Sequence, residues 1–350
     1  MRAWWVDRPG PIDGHPLVSG EREVPEPGPH QVRVRVTTCG VCRTDLHLSE
    51  GDLPPHRAHT VPGHEIVGVV DRLGPGARRF EVGQRIGVAW LRSTCGRCRF
   101  CLRGAENLCL EPQFTGWDAD GGFAEYAVVD DRYAYVLPDS FDDLAVAPLL
   151  CAGIIGYRAL QLAGVREGGR LGIYGFGASA HLAAQVALAR GVEVHVLTRS
   201  DSARRLALDL GATSAGAAAD APPVLLDAAL LFAPVGDLVP VALRALDRGG
   251  TLAVAGIHLT DIPSLDYQRE LFQEKRLRSV TANTRSDGEE FLTIAARIGL
   301  RPRITSYSFD QVDRALADLA HDRVEGAAVI DLGRPGSSPG GSSAAPLSIS

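Results

Sequence analysis

A chain of 350 residues has room for two domains with sizeable cores, and 45% hydrophobic against 22% charged residues excludes global disorder. Of its 36 basic residues only Lys275 is a lysine, and its Glu-Lys-Arg setting suits neither a phosphate-binding loop nor a Schiff base. A net charge of -6 argues against a broad grip on nucleic acid.

The N-terminal stretch MRAWWVDRPG has no apolar signal character, and no apolar run is long enough to predict a membrane span. A cytoplasmic protein with no membrane partner is expected. Seven cysteines, an odd number in that setting, point to metal rather than to a disulfide framework.

The first 140 or so residues read as β-rich. Gln31–Thr37 alternates polar and apolar residues, as a half-buried strand does. Short β-type runs follow at 66–73, 85–89 and 124–129, separated by Gly-rich turns. This pattern predicts a barrel-like domain.

The middle changes character. A strand over 171–174 runs into Gly175-Phe176-Gly177-Ala178-Ser179-Ala180, then a helix to about Arg190. A second strand is expected at 193–197, and a helix over 202–210 stopped by Gly211. Further strands are expected at 223–227, 251–257 and 278–282. Strands alternating with helices predict a parallel sheet covered on both faces. Two helical patterns, 287–298 and 309–321, and a strand at 326–331 complete the pattern. The tail from Gly333, rich in Gly, Pro, Ser and Ala, is expected to be disordered.

Cys95, Cys98, Cys101 and Cys109 are spaced C-x2-C-x2-C-x7-C. Four thiolates suit a closed, structural zinc site. An iron–sulfur cluster is the main rival, but its usual run has a shorter last gap and a following proline. Other metal-ligand chemistry is scattered: Cys39-Gly-Val-Cys42-Arg43-Thr44-Asp45-Leu46-His47, then Gly63-His64-Glu65, then Cys151 in Pro-Leu-Leu-Cys-Ala-Gly. No local spacing joins these segments.

Their order, followed by a Gly-x-Gly strand–helix turn, resembles the zinc-dependent medium-chain alcohol dehydrogenases. The resemblance covers residues 1 to about 332. It implies an α/β chain: a GroES-like β-barrel catalytic domain with a zinc lobe (1–151), and a doubly wound parallel-sheet Rossmann domain (152–283). A C-terminal return to the catalytic domain (284–332) and the tail (333–350) follow. It also implies hydride transfer between a primary alcohol or aldehyde and a nicotinamide cofactor, with zinc stabilising the alkoxide.

Residue by residue, Cys42, His64 and Cys151 match the catalytic zinc ligands; with the four-cysteine lobe that makes two zinc ions per chain. A Cys2His set leaves the fourth position open for chemistry. Glu65 matches an acidic residue beside the metal, and Asp45 a carboxylate that orients the ligand histidine. Thr44 and His47 match the two ends of a proton relay, and Arg43 a pyrophosphate contact. Cys39 matches no ligand and is expected in the core.

Gly175, Gly177 and Ala180 carry the dinucleotide turn. Thr198 stands where NAD-binding relatives carry aspartate. Arg199, with Thr198 and Ser200, is placed to bind a 2′-phosphate, so NADP(H) is expected over NAD(H). Trp90 matches an aromatic pocket wall, and Leu53 a position where some relatives carry tryptophan. Alternatives within the same architecture are a zinc-free quinone or enoyl reductase and a non-catalytic NADP(H)-binding sensor or scaffold. Analogy with relatives suggests a homo-oligomer, tetramer or dimer.

Overall fold

The computed structural model describes residues 1–333; the expected disordered tail beyond Gly333 lies outside them. Two sheets organise the chain. The N-terminal and C-terminal segments share a seven-stranded sheet whose spine is the long strand Gln31–Val41. That spine alternates as predicted over its first residues, then becomes buried on both faces from Val36 onward. It pairs antiparallel with Glu65–Leu73, with Tyr126–Asp130 and with Ala327–Asp331. The last pairing is how the C-terminal return rejoins the catalytic half.

The register of this sheet builds the site. Gly40 pairs with Glu65, so the end of the spine leading to Cys42 lies opposite the start of the strand preceded by His64. Cys39 is fully buried in the barrel core, next to Gly63 and Gly122, which must lack side chains to admit its sulfur.

The middle of the chain forms a six-stranded, wholly parallel sheet. Its spatial order is Ser214–Gly216, Glu193–Leu197, Arg170–Tyr174, Leu226–Leu231, Leu246–Val254, Arg276–Ser279. In sequence rank this is 3-2-1-4-5-6, the doubly wound order, with a switch point beside Arg170–Tyr174. Leu171–Tyr174 is buried on both faces, as a central parallel strand must be. Close contact between the helices Ala152–Ala163 and Ala178–Ala189 depends on Gly156, where a Cβ would meet Ser179 O at 2.7 Å.

Some elements differ from expectation. The strand expected at 223–227 is Leu226–Leu231, because Pro222 and Pro223 cannot donate ladder hydrogen bonds. Those expected at 251–257 and 278–282 lie earlier, at Leu246–Val254 and Arg276–Ser279. The helix expected over 309–321 is split into a short 3-10 turn and Val312–Ala320. Several helices had no expected counterpart, the two longest near the site being Arg43–Glu50 and Ala152–Ala163. Among the described residues no single helix is long and apolar enough to cross a membrane.

Candidate catalytic centre and cofactor cleft

Cys42 caps the N-terminus of the helix Arg43–Glu50, and Asp45 at its third position accepts the Cys42 backbone N–H at 2.9 Å. The other Asp45 oxygen accepts from Gly63 N at 3.0 Å and from His64 Nδ1 at 2.9 Å. One buried carboxylate thus ties together two segments that no local spacing relates. His64 must carry its proton on Nδ1, leaving Nε2 as a free donor atom for a metal. That nitrogen lies 3.2 Å from Cys151 Sγ, and the Cys42 and Cys151 sulfurs are 3.9 Å apart.

A carboxylate oxygen of Glu65 belongs to the same group, whose ligand atoms all lie within 4.8 Å of one another. Room for it depends on Gly40, where a Cβ would sit 1.8 Å from Glu65 Oε2. The cluster fits a tetrahedral ion: Zn–S bonds of about 2.3 Å require sulfur–sulfur edges near 3.8 Å. The titration directions agree with clustered donors. The contact with Cys151 draws the Cys42 thiol well below its ordinary range, and the same contact, with burial, pushes Cys151 well above it. Burial raises the Glu65 carboxyl. Burial also acts to depress His64, but the charge and hydrogen bond of Asp45 outweigh it, and the imidazole is raised.

The four-cysteine lobe is assembled in the same sense. Cys98 and Cys101 sulfurs are 3.5 Å apart and those of Cys95 and Cys101 4.0 Å. Backbone N–H groups point at the sulfurs: Cys98 N at Cys95, and Cys95 N and Glu111 N at Cys109. Backbone hydrogen bonds from Cys101 and Leu110 lower the Cys98 thiol to about 6, so it ionises readily, as a metal ligand must. Burial raises Cys109 to about 11. Glu106 and Asn107 fasten the lobe to the stretch that follows the strand Arg276–Ser279, through Arg285, at 2.8 Å, and Thr281 O, at 2.7 Å.

Thr44 is buried, its hydroxyl 3.8 Å from Cys42 Sγ. His47 is one helical turn further on. One of its ring nitrogens contacts Asp52 at 2.9 Å, and its ring lies 4.1 Å from that of His258, which comes from the cofactor domain. Neither Asp52 nor His258 was foreseen. Trp90 meets the His64 ring edge-on at 4.9 Å. It stacks on Phe114 at 4.9 Å and on Trp117 at 6.0 Å, forming an aromatic wall beside the buried histidine. Leu53 packs, partly buried, against the same barrel cluster as Trp117.

Gly175 has φ +83°, and a Cβ there would meet Ala233 N at 2.8 Å, so the turn demands glycine. At Gly177 a Cβ would meet nothing, and no side chain caps the helix Ala178–Ala189. No side chain takes up the N–H groups of its first turn, and a backbone without a Cβ at Gly177 lets a ligand approach, which suits a dinucleotide pyrophosphate. Ala180 is fully buried under this turn. Thr198 is buried at the end of the second strand, and Arg199 is exposed beyond it. Ser200 spends its oxygen on a helix cap, accepting Ala203 N at 3.3 Å.

Comparison with known proteins decides the family. The alcohol dehydrogenase GroES-like domain family matches residues 28–139, and the zinc-binding dehydrogenase family residues 178–297. The "Probable alcohol dehydrogenase AdhA" of Mycobacterium tuberculosis is 58% identical over 335 residues, covering 94% of this chain and 97% of that protein. This chain belongs to the zinc-dependent medium-chain alcohol dehydrogenase family. Among solved structures, a cinnamyl alcohol dehydrogenase from Sorghum bicolor superposes with a TM-score of 0.85 at 29% identity, covering 97% of this chain and all of that one. A thermostable alcohol dehydrogenase from Pyrobaculum aerophilum gives 0.86 at 26% identity, covering 95% and 99%. The chain is a zinc-dependent alcohol oxidoreductase that acts on small-molecule alcohols or aldehydes, with a GroES-like domain and a Rossmann-type domain.

Proposed function

We propose that this alcohol dehydrogenase binds two zinc ions per chain, one catalytic at Cys42, His64 and Cys151 and one structural at Cys95, Cys98, Cys101 and Cys109. The observation that carries the reading is the convergence of the three catalytic donors with Glu65, two of them, Cys42 and His64, tied together by Asp45. The bound zinc supplies a Lewis acid for the substrate oxygen, and a bound nicotinamide supplies the hydride acceptor or donor.

The protein's own groups do the rest. Thr44, buried against Cys42, holds the substrate hydroxyl proton. His47 lies at the mouth of the cleft, and its contact with Asp52 leaves one ring nitrogen to exchange that proton with water. Glu65 stands as a spare oxygen donor for moments when substrate and product exchange. Asp45 fixes the His64 ring. Arg43 and the free N–H groups after Gly177 hold the pyrophosphate.

NADP(H) is the favoured cofactor. No carboxylate stands at Thr198 to grip a ribose 2′-hydroxyl, and the exposed Arg199 guanidinium, paired with Asp322 in the structure, is placed beside it to exchange that partner for a 2′-phosphate. The wall of Trp90, Phe114 and Trp117 favours aromatic primary alcohols and their aldehydes, which stack on it. The sorghum relative is named for a substrate of this kind. The exposed edge strand Arg276–Ser279 suits pairing with a second copy, in keeping with a cytoplasmic homo-oligomer.

The test is a kinetic panel of primary alcohols, aldehydes and polyols against NADPH/NADP+ and NADH/NAD+, with metal analysis of the same sample. About two zinc per chain and the highest kcat/KM for an aromatic substrate with NADP(H) are expected. Faster turnover of polyols, or a higher kcat/KM with NAD(H), would overturn the corresponding assignment.

A further inference from the structure

Asp322 follows the helix Val312–Ala320 in the C-terminal return, with φ +54°. The turn is fixed on both sides: His321 contacts Asp13 at 2.9 Å, and Arg323 N donates to Asp318 O at 2.8 Å. Its two carboxylate oxygens are shared between two distant arginines. Arg43 Nη2 donates to Oδ1 at 2.6 Å, and Arg199 Nη2 donates to Oδ2. One arginine opens the helix behind Cys42, and the other ends the second strand of the cofactor sheet. Asp322 therefore bridges the catalytic half and the cofactor domain across the cleft.

These are the two arginines assigned above to cofactor phosphates, and the inference rests on that assignment. We propose that Asp322 sets cofactor affinity and selectivity by standing in for phosphate between Arg43 and Arg199. Asp322 engages the Nη2 of each arginine, so a phosphate meets a guanidinium already partly spent and a carboxylate charge beside it that repels the anion. A 2′-phosphate gains the full fork of Arg199 only when the carboxylate gives way. All three side chains are substantially exposed, so the bridge is weak enough to exchange with a ligand.

The two arms of the bridge act differently. Every dinucleotide has a pyrophosphate and must free Arg43. Only the phosphorylated one must also free Arg199. Asp322 thus weakens both cofactors and weakens NADP(H) more, narrowing the preference that Arg199 creates.

The experiment is fluorescence titration of the zinc-loaded enzyme with NADPH and with NADH, giving equilibrium Kd values for wild type, Asp322→Asn and Arg199→Gln. Asparagine tolerates the left-handed backbone and removes only the charge. Asp322→Gly, which also suits that backbone, serves as the second variant, and thermal melting checks folding. For Asp322→Asn the NADPH Kd should fall roughly three- to tenfold and the NADH Kd by a smaller factor. Unchanged or weaker NADPH binding overturns the proposal. So does an equal gain for both cofactors, which removes the selectivity role. Arg199→Gln separates this from failure of the assignment beneath it. If that variant weakens NADPH and not NADH, the phosphate reading stands and only the role of Asp322 is at issue. If it weakens neither, the phosphate reading is overturned and the proposal with it.

Discussion

Asp45 and His64 form a buried pair, Oδ1 to Nδ1 at 2.9 Å, in which both partners are almost wholly removed from water. The carboxylate also accepts the backbone N–H groups of Gly63 and Cys42, so it orients both the ring and the turn that presents Cys42. Asp45→Asn puts an NH2 group where three donors already converge. Zinc affinity at this site should fall about 10- to 100-fold, with loss of turnover at limiting zinc. Competition against a chelator of known affinity checks this; unchanged affinity would remove Asp45 from the supporting role.

Gly40 is predicted to be intolerant of any side chain. A Cβ would sit 1.8 Å from Glu65 Oε2, against a carboxylate locked in the core. Gly40→Ala should release catalytic zinc while leaving the zinc of the four-cysteine lobe in place. Metal analysis would then give about one ion per chain. Gly40→Ala combined with Glu65→Ser should recover part of the lost occupancy, because the carboxylate is gone and only the 2.8 Å contact with the Cβ of residue 65 remains.

The four-cysteine lobe touches the rest of the molecule through Glu106–Arg285 and Asn107–Thr281. Cys98→Ser should therefore lose one zinc and also destabilise the chain, on the order of 4 kcal/mol, as loss of a structural metal does. Denaturant midpoints measure the loss. Limited proteolysis should show new cleavage confined at first to 95–111.

The lobe was legible because its ligands sit close together in sequence and spacing alone constrains them. The catalytic set was not legible that way. Cys42 and His64 meet through the Gly40–Glu65 register of an antiparallel pair, and Cys151 arrives from before the cofactor domain. Spacing contains no trace of either event, so only resemblance could join them. Asp322, His258 and Trp117 were invisible for a related reason. Each is an ordinary loop or turn residue that acquires meaning from a partner more than 60 residues away, or from a wall completed by other segments. The Rossmann order could be anticipated because strand–helix alternation is a local signal, although strand ends shifted where prolines or register breaks intervened.

Trp117, in the aromatic wall proposed to receive the substrate, is held by Nε1 on Pro54 O at 2.9 Å and stacked with Trp90 and Phe114. Trp117→Leu removes one stacking face without touching the zinc ligands. Stacking contributes about 0.5–1.5 kcal/mol beyond area burial, so kcat/KM for a cinnamyl-type alcohol should fall roughly three- to tenfold relative to ethanol. An unchanged ratio would show that the aromatic wall lies outside the substrate's path.

His181 is predicted to make folding stability depend on pH. It is buried in the helix Ala178–Ala189, its Nδ1 facing Gly177 O at 3.1 Å and its Nε2 accepting Arg303 N at 3.2 Å. A proton on Nε2 would set two donors against each other, and burial holds the imidazole below its ordinary value of 6.5. The unfolded chain therefore binds a proton that the folded chain refuses in the window just below pH 6.5. Stability must rise with pH across that window and level off above it. His181→Gln removes this proton and should flatten that part of the profile, while lowering stability at pH 8 by about 1 kcal/mol through the weakened contact to Arg303. Urea midpoints at pH 8, 6.5 and 5.5 measure it. The wild-type-minus-variant difference cancels the other titrating groups, and a difference that stays constant between pH 6.5 and 5.5 would show that His181 takes its proton in the folded state as easily as in the unfolded one.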